Sequence, residues 1–149
     1  RSFRLVGILG ERYTHGHIFD FYQKLKTDPT KLYVLGNGKQ RKSYLYVEDC
    51  IDAILIALDK ASENVNIFNL GLDEYCEVNE SIHWITEEEM GLSPKLEYEG
   101  SERGWIGDSP YIHLDTKKIQ SLGWKPNYSI REGVTKTVKY LDANPWLFD

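Results

Sequence analysis

The stretch GNGKQRKSYLYVEDC, residues 36 to 50, holds a turn, a strand and a helix start in immediate succession. Gly36, Asn37 and Gly38 read as a tight turn after a short strand at 32–35. Tyr44 to Tyr46 have strand character, and Glu48 and Asp49 fall in the first turn of an amphipathic helix, where carboxylates complement the exposed amides. That helix spans about 47–58, with Val47, Cys50, Ile51, Ile54, Leu55 and Leu58 on one face expected to be buried. Between turn and strand stand Lys39, Arg41 and Lys42, three cations in a chain of net charge −5. Strand alternation puts Arg41, Ser43 and Leu45 on one side and Lys42, Tyr44 and Tyr46 on the other. Two readings compete for the cations. They are the solvated edge of a strand, where lysine discourages unwanted pairing, or fixed donors for an anion, for which Lys42 beside aromatic rings suits a pocket wall.

Outward from this stretch, strand and helix patterns alternate, which predicts an α/β chain, or α+β with small sheets, without linker or repeat. A first strand is expected over 3–9. A helix follows over 16–26, with Ile18, Phe21, Tyr22 and Leu25 at helical spacing. Strands are expected over 65–71 and 95–99. Asn79 is positioned to cap a helix ending near Met90, with Gly91 as its stop. Asp115 is placed to cap a short helix to Leu122, and Ser129 with Glu132 has capping-box spacing for a last helix to about Leu141. Residues 100–114 show no period, and a loop this long in a compact domain is commonly functional.

Composition bounds the function classes. The 149 residues carry 23 acidic against 18 basic side chains, so nucleic acid is not an expected partner and any anion site must be local. No run approaches the roughly 20 apolar residues of a bilayer span, so no membrane partner is expected and a cytoplasmic location is the default. Cys50 and Cys76 lack metal-like spacing and read as reduced core thiols. His15 and His17 have no further ligands to complete a metal site.

The order R-L-V-G-I-L-G, T-H-G-H-I-F-D-F, L-Y-V-L-G-N-G-K-Q-R-K-S-Y-L-Y-V-E-D, F-N-L-G, R-G-W-I-G-D and L-D-T-K-K-I-Q-S-L-G-W-K-P resembles the C-terminal part of an extended short-chain dehydrogenase/reductase. The similarity is to the NAD-dependent nucleoside-diphosphate-sugar epimerases and dehydratases, UDP-glucose 4-epimerase included. The resemblance implies a sugar-nucleotide-binding domain over 1–149, with residues 1–10 a leftover strand of a missing dinucleotide-binding domain, and a parent protein that is a homodimer. It implies NAD in the complete protein and none on this chain alone, because the Gly-rich turn and the catalytic Tyr-x-x-x-Lys pair are absent. Tyr22 and Lys26 have that spacing, but Tyr22 faces the core.

Carried over by position, Lys42 stands where the family's Q-x-R-D-F pattern has a phosphate-contacting Arg, keeping charge without the bidentate fork. Ser43 replaces the following Asp. Arg103 and Asp108 match an R-x-G-D loop, for the diphosphate and the ribose hydroxyls, with a separation two residues longer. Leu35 is implied against the base, His17 near the nucleotide through its backbone, and Gly7 replaces an Asn that contacts substrate. Its loss leaves either room for a bulkier sugar or binding without turnover. The expected function is substrate binding for an epimerase or dehydratase acting on a UDP-sugar-like substrate. The alternatives are a non-catalytic sugar-nucleotide module and a reductase of the same superfamily.

Overall fold

The computed structural model describes residues 1–107, 109 and 111–148. The first strand pattern divides into β1 (Ser2–Leu5) and β2 (Gly7–Leu9). After it come α1 (His17–Thr27), β3 (Lys31–Val34), β4 (Arg41–Lys42), β5 (Tyr44–Tyr46) and α2 (Val47–Lys60). The chain continues through β6 (Ile67–Leu70), β7 (Cys76–Glu77) and α3 (Val78–His83), which runs on into π-helical turns over Trp84–Glu89. It ends with β8 (Lys95–Tyr98), α4 (Lys117–Ser121), α5 (Ile130–Ala143) and a final 3₁₀ turn. The fold is mixed α/β with five helices and small sheets.

Each sheet is a strand pair: β1 with β6, β2 with β5 and β3 with β8 are parallel, and β4 with β7 is antiparallel. Parallel neighbours need long crossovers, and the helices between them supply these. The predicted strand 3–9 is one extended run that changes partner at Val6, whose N–H donates to Leu70 O and whose side chain is buried. A similar change occurs at Ser43, between β4 and β5. The expected two-face alternation of residues 41–46 is not seen in their burial, since Ser43, Tyr44, Leu45 and Tyr46 are all buried.

The helices follow the sequence with three corrections. In α1, Ile18, Phe21, Tyr22 and Leu25 are buried as their spacing predicts. In α2, Cys50 is buried, but Ile51, Leu55 and Leu58 are 51%, 57% and 55% exposed. The face that packs inward is Asp49, Cys50, Ala53 and Ala57, whose small side chains let the helix approach the sheet closely, leaving the bulkier stripe outside. Asn79 does not cap α3. Glu77 is the N-cap, in a capping box with Glu80, and the Asn79 side chain instead accepts from Tyr98 Oη at 2.7 Å. For α4 the cap residue is Thr116, although Asp115 Oδ1 accepts from the Lys117 N–H at 2.9 Å. The Ser129–Glu132 capping box of α5 forms as read.

Asp49 is fully buried. Its Oδ1 accepts from Asn127 N and Nδ2 at 2.9 and 2.8 Å, and its Oδ2 from Tyr128 N at 3.1 Å. Trp124 Nε1 donates to its main-chain oxygen at 3.0 Å. A charge without water is tolerated when its acceptor sites are met by fixed donors in this way, and here it anchors the chain leading into α5. Both cysteines are buried free thiols, and burial pushes the Cys76 thiol up to about 12. Among the described residues no helix is long and apolar enough to cross a membrane.

Candidate functional site

A cavity of about 650 Å³ opens between β2, the start of α1, the β4–β5 segment and the 100–114 segment, and Gly7, His17, Leu35, Lys42 and Arg103 all line it. Its volume lies within the roughly 300–1,000 Å³ range of small-molecule sites. Five candidate residues far apart in sequence therefore meet around one space. Asp108 lies outside the described residues.

Among the described lining residues, Lys24, Arg41, Lys42 and Arg103 face a single carboxylate, Asp20. This gives a basic concavity in a chain of net charge −5. Leu35 is 47% exposed, so it offers apolar surface to the cavity and is not a core leucine. Lys42 Nζ lies 3.5 Å from Ser109 O, tying β4 to the long segment. Arg41 is not confined to an opposite face. It also borders the cavity, and its guanidinium lies 4.7 Å from the Tyr75 ring centroid and 6.0 Å from that of Tyr111. Cation–π contacts of this kind pin the 100–114 segment, through Tyr111, to β4.

Arg103 is carried on a braced turn. Glu99 Oε2 accepts from the N–H groups of Gly36 at 3.2 Å and Ser101 at 3.0 Å and from Ser101 Oγ at 2.5 Å. These bonds, led by the Ser101 hydroxyl, hold the Glu99 carboxyl below its usual range. Gly104 N donates to Ser101 Oγ at 3.0 Å. Gln40, buried beneath this turn, donates through Nε2 to Leu35 O at 2.9 Å, and its Oε1 has no hydrogen-bond partner among the described residues. Gly36 and Gly104 have φ of 81° and 76°, and a Cβ on either would meet the Gln40 amide. Those glycines let one glutamine lock the two loops together. Gln40 belongs to the Q-x-R motif, yet nothing in the linear sequence marks it as buried.

The His17 side chain is hydrogen-bonded at both ring nitrogens. Its Nδ1 is 2.5 Å from Tyr44 Oη and its Nε2 2.8 Å from Ser81 Oγ. At Gly7 the space that a missing side chain would leave is filled, because a Cβ there would lie 2.7 Å from two atoms of the Tyr44 ring. The expected room for a bulkier sugar is absent at this point. Tyr44 is the cavity residue that sequence reasoning missed as a partner of position 7, since only the β2–β5 register brings them together.

Between β2 and α1 the turn glycines Gly10 and Gly16 lie against the side chains of Val47 and Tyr13, which leave no room for a Cβ at either position. The Tyr22–Lys26 pair is bound to Asp142, with Tyr22 Oη and Lys26 Nζ at 2.8 and 2.9 Å from Oδ1, and borders no part of the cavity.

The GDP-mannose 4,6 dehydratase family model matches residues 1–137. A protein of Methanocaldococcus jannaschii assigned as a UDP-glucose 4-epimerase is 32% identical over 145 residues, 95% of this chain and 45% of that protein. A crystal structure of UDP-galactose 4-epimerase superposes with a TM-score of 0.81 at 31% identity, covering 97% of this chain and 45% of the other. UDP-glucose 4-epimerase from Thermotoga maritima, solved with UDP-glucose, gives 0.79 at 26% identity over 96% and 46%. The chain thus spans less than half the length of these relatives. Structures sharing its fold have been solved with NAD. With the family model covering most of its length and the fold in agreement, the chain belongs to the extended short-chain dehydrogenase/reductases of the NAD-dependent sugar-nucleotide epimerase and dehydratase family.

Proposed function

We propose that this chain is the substrate-binding part of an NAD-dependent sugar-nucleotide epimerase or dehydratase, and that its cavity takes the nucleoside diphosphate of a UDP-sugar-like substrate. The observation that carries this reading is the convergence of Gly7, His17, Leu35, Lys42 and Arg103 on one basic cavity. Lys42 and Arg103 hold the diphosphate, Leu35 lies against the base, and Asp108 takes the ribose hydroxyls. Residues 1–10 belong to the sheet of a dinucleotide-binding domain. The exposed stripe Ile51, Leu55 and Leu58, with Leu5 at 47% and Ile67 at 46% exposure, supports this, since apolar surface of that extent is ordinarily covered. When bound to that domain, NAD supplies reversible hydride transfer. The present residues bind and orient the sugar.

Calorimetric titration of the full-length protein with UDP and with uridine tests the reading. UDP should bind at least tenfold more tightly than uridine, and Arg103→Ala should remove about tenfold of UDP affinity, one charge-assisted contact in an open cleft, while leaving uridine unaffected. Equal affinity for UDP and uridine would refute it.

A further inference from the structure

Position 7 and position 44 are sterically coupled. Gly7 of β2 is in register with Tyr44 of β5, and a Cβ on Gly7 would lie 2.7 Å from Cδ1 and Cε1 of the ring, well inside the roughly 3.5–4.0 Å of ordinary carbon contact. The glycine is needed for space, because its φ is not in the left-handed region. The ring cannot easily yield. Tyr44 is 8% exposed, and its hydroxyl is bonded to His17 Nδ1.

The hydrogen-bond directions along this chain are set from its buried end. Ser81, fully buried, donates its one hydroxyl proton to Val78 O at 2.8 Å. Its oxygen must then accept from His17 Nε2, which in the neutral imidazole leaves Nδ1 to accept the Tyr44 proton. Phe21 meets the His17 ring edge-on at 5.3 Å and limits its rotation. A directed path therefore runs from the interior of α3 to a phenol in the cavity wall. Tyr44 lies two residues beyond Lys42, about 7 Å along an extended chain, and both line the same cavity.

We propose that Tyr44, aligned by His17 and Ser81, is the hydroxyl that orients the sugar in this cleft, occupying the space a side chain at position 7 would need, so that residues 7 and 44 work as a small–large pair. This rests on the sugar-nucleotide reading above. Tyr44 contacts the substrate, and His17 and Ser81 are positioning residues.

The test uses the full-length protein with UDP-glucose and UDP as probes, titrated calorimetrically, with thermal unfolding alongside. Tyr44→Phe keeps the ring and removes the hydroxyl. It should weaken UDP-glucose binding about tenfold and change UDP binding less than twofold. Ser81→Ala should reduce the UDP-glucose preference in the same direction by a smaller factor, since it acts only through His17. Gly7→Asn should lower both the melting temperature and UDP-glucose affinity, and adding Tyr44→Ser should recover most of the melting temperature. If UDP binds normally but Tyr44→Phe shifts both probes equally or neither, this proposal falls alone. Failure of Tyr44→Ser to rescue Gly7→Asn likewise overturns the coupling. A wild-type protein that binds neither probe overturns the sugar-nucleotide reading and this proposal with it.

Discussion

Replacing Asp49 by alanine should cost the protein about 3–5 kcal/mol of stability, the combined cost of buried donors left without an acceptor and of the void left behind. The carboxylate is fully buried and meets three donors, Asn127 N, Asn127 Nδ2 and Tyr128 N, all within 3.1 Å. Alanine would leave two main-chain N–H groups without acceptors in a water-poor site, each costing about 1–3 kcal/mol, together with a void the size of a carboxylate. Asp49→Asn separates the contributions. An amide oxygen in the place of Oδ1 keeps both Asn127 bonds, but the amide nitrogen then faces the Tyr128 N–H, so the loss should be about half that of alanine. For a domain of this size each kcal/mol lowers the melting temperature by roughly 2–4 °C, so the alanine variant should melt about 6–20 °C below wild type. Differential scanning calorimetry on the full-length protein reads this directly. UDP affinity at low temperature should be unchanged, because Asp49 does not border the cavity. A loss below about 1 kcal/mol for Asp49→Ala would mean that the 124–128 segment is held by other contacts, Trp124 first among them.

Arg41→Ala should reduce UDP affinity about two- to fivefold, the worth of an exposed cation–π contact, by loosening the segment around Tyr111; proteolytic nicking between residues 104 and 112 should accelerate, and an unchanged cleavage rate would count against that role. Cys76 should resist alkylation at pH 8 in the folded protein and react on unfolding. Its folded pKa of about 12 lies above the ordinary 9.0, so the stabilisation from its neutral form is complete below pH 9 and is lost as pH rises towards 12. A melting temperature that stays level between pH 9 and 11 would remove this contribution. The 149-residue chain should give no binding heat with millimolar NAD, and a measurable one would relocate the cofactor boundary.

Periodicity and local turn chemistry determined the secondary structure of this protein. The spacing of Ile18, Phe21, Tyr22 and Leu25, the Ser129–Glu132 box and the breaker Gly91 each act within a few residues, and each stands in the structure as read. The family motifs also lie in short contiguous runs, so the resemblance and the candidate positions Leu35, Lys42 and Arg103 were legible in the linear chain. Strand pairing was not, since it depends on which distant segment lies alongside. Only the tertiary structure decided that the first strand changes partner at Val6, that Arg41 rests over Tyr75 and Tyr111, and that Ile51, Leu55 and Leu58 lie outside the packed face of α2. The same holds for Gly7 and Tyr44. Thirty-seven residues apart in sequence and opposite each other in a two-strand ladder, they compete for one volume, and steric exclusion between them exists only once the register is set.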